Sequence, residues 1–189
     1  MIQYFLCYLQ LDGPSAPSQA EHLGMIHDFF CYLQETGIAV YIRESDFGFA
    51  IALTIHTLGL SFLVGANAIV SIRLLGVASM IPLKPLRLLF PLMWVGLILC
   101  AISGLGLGIA HASTRLLNPI TGFKLLAIFV ATPIMWTMQK KLFDDPKISD
   151  ANLPESARMI AASQLVLWLT VLVAGRLIAY SATILGEPY

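Results

Sequence analysis

Four residues of this 189-residue chain combine a reactive type with an apolar setting: His56, His111, Lys124 and Arg176. Polar groups inside long apolar runs are costly, which makes them the default functional candidates. A neutral imidazole at His56 could ligate a metal, and above all a haem iron, while the cations Lys124 and Arg176 would balance an anionic group such as a haem propionate. His111 follows the next apolar run and is expected at the same rim. Each residue also has a structural alternative. His56 could be a buried histidine hydrogen-bonded to a neighbouring helix, and Lys124 and Arg176 could snorkel, their stems in lipid and their charges at the interface. Cys100, Gly104 and Gly108 form a stripe at four-residue spacing leading toward His111. It would leave room for a porphyrin, or it lets two membrane helices approach closely, and packing is the preferred reading.

Height along the helices constrains the haem reading. At about 1.5 Å per residue, His56 lies roughly 10 Å deeper than His111, so the two do not form an axial pair. Met93, Met135, Met138 and Met159 cluster toward the opposite half. A haem b here would need five-coordinate iron, water, or a ligand from another chain. The sequence holds no His-Glu-x-x-His, no glycine-rich phosphate loop, no nucleophile elbow and no intramembrane acid pair, so no enzymatic role is expected. The two readings are a non-catalytic membrane component without a cofactor, and an electron-transfer or small-ligand module built on His56 and, if haem-bearing, on haem b.

The elements that must position these residues follow from composition. Hydrophobic residues make up 58% of the chain and charged residues 12%, against about 25% charged in soluble domains. The formal net charge of zero argues against a nucleic-acid partner, which would select a basic face. Four runs, Phe47 to Ser71, Leu86 to Ala110, Ile120 to Met138 and Met159 to Tyr180, are each long enough to cross a hydrocarbon core of ~30 Å as a helix. Continuous apolarity favours helices over strands. The expected fold is therefore all-α: a four-helix transmembrane bundle over residues 47–189, preceded by interfacial helices in residues 1–46. Pro91 and Pro133 lie within spans and predict local kinks.

Basic residues set the orientation, because short positively charged loops stay in the cytoplasm. With Lys124 and Arg176 left out because they lie a turn or so inside the bilayer near its outer edge, Arg73, Lys84, Arg87, Lys140, Lys141, Lys147 and Arg158 fall on one side, and Arg43 and Arg115 on the other. Both termini are thus expected outside. Cys7 and Cys31 would then share an oxidising side, where a disulfide is compatible with their position. Glu44 and Asp46, just before the first span, are the acids nearest to Lys124 and Arg176 and are expected partners for them. Residues 1–46 are neither a span nor a convincing signal peptide. Met1 to Gln10 is echoed by Met25 to Gln34 at an offset of 24, a duplicated pattern of aromatic and aliphatic residues suited to lying in the headgroup region. It is a lipid-lying collar or a docking surface for another protein.

From about Tyr41 to Tyr180 the chain resembles a family of small four-span bacterial inner-membrane proteins. The resemblance rests on Ile42-Arg43-Glu44-Ser45, His56-Thr57-Leu58-Gly59-Leu60, Val64-Gly65, Arg73-Leu74-Leu75-Gly76, Phe123-Lys124 and Gly175-Arg176-Leu177-Ile178-Ala179-Tyr180. The family pattern carries an acid two residues before the arginine that ends the first span, and this chain departs from it with Ser71. More distantly the layout looks like the membrane haem bundles of the cytochrome b561 and copper-resistance D type. The resemblance implies a multi-pass protein of the bacterial inner membrane. Termini on the outer side would then be periplasmic, and membrane lipids and other membrane protein subunits are the partners expected for the apolar helices and the N-terminal segment.

Overall fold

The computed structural model describes residues 29–45, 47–112, 118–144 and 153–185, with no side-chain description for residues 179 and 181–185. Every regular element among them is helical: α1 (Gly37–Glu44), α2 (Gly48–Leu74), the short α3 (Leu83–Leu86), α4 (Leu89–Ala110), α5 (Pro119–Met138) and α6 (Glu155–Leu185). Residues 29–34 are also helical. The fold is an all-α four-helix bundle, and α2, α4, α5 and α6 carry the four stretches long and apolar enough to cross a membrane. Phe129, Val166 and Leu169 are among the many large apolar side chains left exposed. Helices apolar all round are expected where lipid takes the place of water.

The described residues fall into two compact units, one drawn from Met1–Thr54 and Ile102–Asn118, the other from Ile55–Ala101 and Pro119–Tyr189. In the second unit, α5 and α6 form the most extensive helix pair. Ala127 and Ala131 on α5 and Ala157 and Ala161 on α6 are all buried. Lipid offers no hydrophobic drive for helices to associate, so small side chains at four-residue spacing help by letting the backbones come close. Around them Leu63, Val70, Phe90, Met93, Met135, Met138 and Trp168 complete a continuous core.

The end of α2 is set by its sequence. Gly76 has φ +91°, a conformation that favours glycine. The amides of Gly76 and Val77 donate to the Arg73 and Ile72 carbonyls at 3.1 and 3.3 Å, the paired bonds of a Schellman stop. Arg73, itself buried, donates from Nε to the Ile81 carbonyl and ties the following turn to the helix end. At the far end of α5 the chain widens into one π-helical turn, Gln139–Phe143. There Trp94 Nε1 donates to Gln139 Oε1 at 3.0 Å, Phe90 meets Phe143 edge-on at 4.9 Å, and Arg87 pairs with Asp144 at 2.9 Å.

Proline acts differently at its two expected kink positions. Pro133 lies inside α5, as expected. Pro91 falls in the first turn of α4, which begins at Leu89 rather than Leu86. The first four amides of a helix have no intrahelical partner, so Pro91 removes no bond there and the reason for a kink disappears.

In the first unit, Arg43 on α1 donates from Nη1 to the Gln34 carbonyl at 3.3 Å and to the Ala110 carbonyl at 3.5 Å. One guanidinium thereby serves the carbonyl-rich ends of two helices, 29–34 and α4, where a cation also complements the helix dipole. Cys31 is disulfide-bonded, whereas Cys100 is a free thiol. Cys7, the first copy of the duplicated segment, Asp46, Arg115 and Lys147 lie outside the described residues.

Candidate functional site

His56 sits near the start of α2, in the second unit, and is half-buried. One helical turn on, Gly59 meets Gly96 of α4 backbone to backbone. A Cβ built on Gly96 would stand 2.7 Å from the Gly59 carbonyl oxygen and 2.8 Å from the Leu63 nitrogen. A Cβ on Gly59 would meet Cys100 Sγ at 2.9 Å. Side-chain-free glycine is required on both helices for this crossing. The Cys100 thiol, one turn beyond Gly96, donates to the His56 carbonyl at 3.6 Å. The stripe of small residues is therefore used for packing at its Cys100 end, and it extends one turn further back, to Gly96.

Lys124 lies six residues into α5 and turns toward α6, its Nζ 3.6 Å from where a Cβ of Gly175 would be. It is close enough to His56 and Cys100 for its charge to act on both. The structure thus brings His56, Cys100, Lys124 and Gly175 together, on four different helices. Arg176, the next residue of α6, is exposed, a position that suits snorkelling. His111 belongs to the first unit and is half-buried at the end of α4. Glu44 is exposed and pairs with its neighbour Arg43 at 3.4 Å.

The glycine contact closes the space between α2 and α4 one turn from His56. Among the described residues no three His, Cys, Asp or Glu side chains come together as a metal-holding group. Arg176 is exposed rather than gathered beside Lys124.

A second polar constellation lies about 16 Å further along α2, eleven residues at ~1.5 Å each. Asn67 Nδ2 donates to Gln164 Oε1 at 3.0 Å, and Trp168 Nε1 donates to the same oxygen at 2.7 Å. Gln164 Nε2 donates to the Ala131 carbonyl at 2.7 Å, and Ser71 Oγ donates to Asn67 Oδ1 at 3.3 Å. These side chains are at most 2% exposed, so α2, α5 and α6 are joined through a fully enclosed amide network. Buried amides are tolerable when their hydrogen bonds are made, and here they make them to one another.

Sequence reasoning singled out Asn67 by depth but missed Gln164. The available signal was an amide in the fourth span one turn before Trp168, whose indole N–H also needs an acceptor. Ser71, notable in the sequence only as a departure from a family pattern, is a member of this network. No family model matches the chain, nor does any curated protein or solved structure.

Proposed function

We propose that this multi-pass membrane protein is a non-catalytic component of a larger assembly in a bacterial inner membrane, with both termini on the periplasmic side. The observation that carries the reading is the apolar surface of the segment preceding the first span. Phe29, Tyr32, Ile38, Tyr41 and Phe47 are all more than half exposed, and α1, which carries Ile38 and Tyr41, is too short to cross a bilayer. Side chains of this kind outside a span suit contact with headgroups or with a neighbouring subunit. The disulfide at Cys31 agrees with an oxidising, periplasmic side for this segment. The polar groups of the enclosed network are engaged with one another, which suits a structural role.

A photocrosslinking residue at Ile38 or Tyr41 in living cells tests the reading. Discrete adducts with one or two membrane proteins are the expected result, and adducts with lipid alone would end it. The competing reading, a haem b module with His56 as axial ligand and Lys124 balancing a propionate, gains from the nearness of those two residues and loses from the closed glycine crossing. An absorption spectrum of the purified protein separates the two. A stoichiometric Soret band that vanishes in His56→Ala would replace the cofactor-free proposal.

A further inference from the structure

Lys124 differs from the other cations of the spans. Arg73 donates to a carbonyl at the end of α2, and Arg176 is exposed. Lys124 is half-buried, directs Nζ at Gly175, and makes no hydrogen bond or ion pair among the described residues. Within the spans themselves the sequence supplies no counter-charge, and the flanking acids Asp46 and Glu187 lie outside the described residues. From Phe47 to Phe143, and again from Ser156 to Gly186, there is no Asp or Glu. Glu155 opens α6 twenty residues before Gly175, about 30 Å away at ~1.5 Å per residue.

An ammonium withdrawn from water without a counter-charge is costly. A lysine this near the start of a span could reach the interface along its four-carbon stem. Instead the stem turns inward to the place where α6 lacks a side chain. His56 lies within electrostatic range, its imidazole held by a hydrogen bond to the backbone of Cys100. We propose that Lys124, with His56 beside it and Gly175 providing the space, forms an anion site within the bundle. It takes one carboxylate or phosphate group, either of a small soluble acid or of an anionic lipid headgroup. This site does not depend on whether the chain enters a larger assembly.

The test uses the purified full chain in phosphatidylcholine nanodiscs, probed with butyrate or inorganic phosphate, and in nanodiscs containing phosphatidylglycerol. A ligand that binds only the folded state raises the thermal midpoint in a saturable way, from which an apparent affinity follows. At least one probe is expected to do so. A response to butyrate or phosphate assigns a soluble acid, and a response to phosphatidylglycerol alone assigns a lipid headgroup. Lys124→Met should abolish the response, Lys124→Arg should keep part of it, and Arg176→Gln should leave it intact. Gly175→Val, which keeps the charge but fills the space, should weaken the affinity about tenfold or more, the loss expected for one charge-assisted contact. If no probe shifts the midpoint of the wild type, or if Lys124→Met or Gly175→Val responds as the wild type does, the site does not exist. Should Lys124→Met fail to assemble, the Arg and Gly175 variants decide.

Discussion

Two polar clusters in the same bundle deal with the cost of polarity in opposite ways. Around Gln164 every side chain has its complement: two amides, a hydroxyl and an indole satisfy one another and one backbone carbonyl. Around Lys124 a charge sits beside a histidine and a thiol and forms no ion pair among the described residues. The first cluster is complete and joins three helices. The second has no negative partner among the described residues. Neutral hydrogen-bonding groups inside a membrane protein therefore read as fastening when they satisfy one another, and an unbalanced charge reads as a place for something else.

Substitutions can break or sharpen this contrast. The largest effect is expected for Gly96→Val, whose side chain would collide with the Gly59 carbonyl and force α2 and α4 apart. Overpacking of this kind should cost about 3 kcal/mol, read as a lowered midpoint in detergent-mediated unfolding. Gln164→Leu removes three hydrogen bonds at once. At about 0.6 kcal/mol for each such bond in a membrane protein, the loss should be about 2 kcal/mol. Asn67→Leu leaves the Gln164 bonds to Trp168 and Ala131 in place and should cost about 1 kcal/mol. A double-mutant cycle between Asn67 and Gln164 should then give clear coupling, and simple additivity would show that the network is less than a unit. Lys124→Met should change unfolding stability in ligand-free detergent by no more than about 0.5 kcal/mol, or raise it, because it removes a charge without a counter-charge. A large loss for Lys124→Met would place Lys124 with the structural residues and erase the contrast.

Much of the architecture is legible in the sequence because the property that makes a span, unbroken apolarity over about 20 residues, is local. The four runs read from Phe47, Leu86, Ile120 and Met159 all correspond to helices, α6 running from Glu155 to Leu185, beyond its expected ends at Met159 and Tyr180. Leu89 replaces Leu86 as the start of α4 because the chain first closes the short helix at Leu83–Leu86. The pairings between spans are not local. Gly59 and Gly96 are ordinary glycines until one backbone is laid on the other. Gln164 is a single amide until Asn67, 97 residues away in sequence, meets it. Lys124 was legible as a charge within a span, but its turn toward Gly175 of α6 emerges only from the fold. Arg43 entered the sequence argument only as one charge in a topology count, and its two carbonyl contacts emerge only from the fold.

The Arg43 contacts also bear on the order of assembly. Arg43 precedes the carbonyl of Ala110 by 67 residues. At a synthesis rate of about 5–20 residues per second, roughly 3–13 seconds separate the appearance of the two. Throughout that interval α1 has no α4 end to hold. The segment ahead of the first span is thus made before that span but fastened late, and its aromatic side chains wait for the second span to hold them.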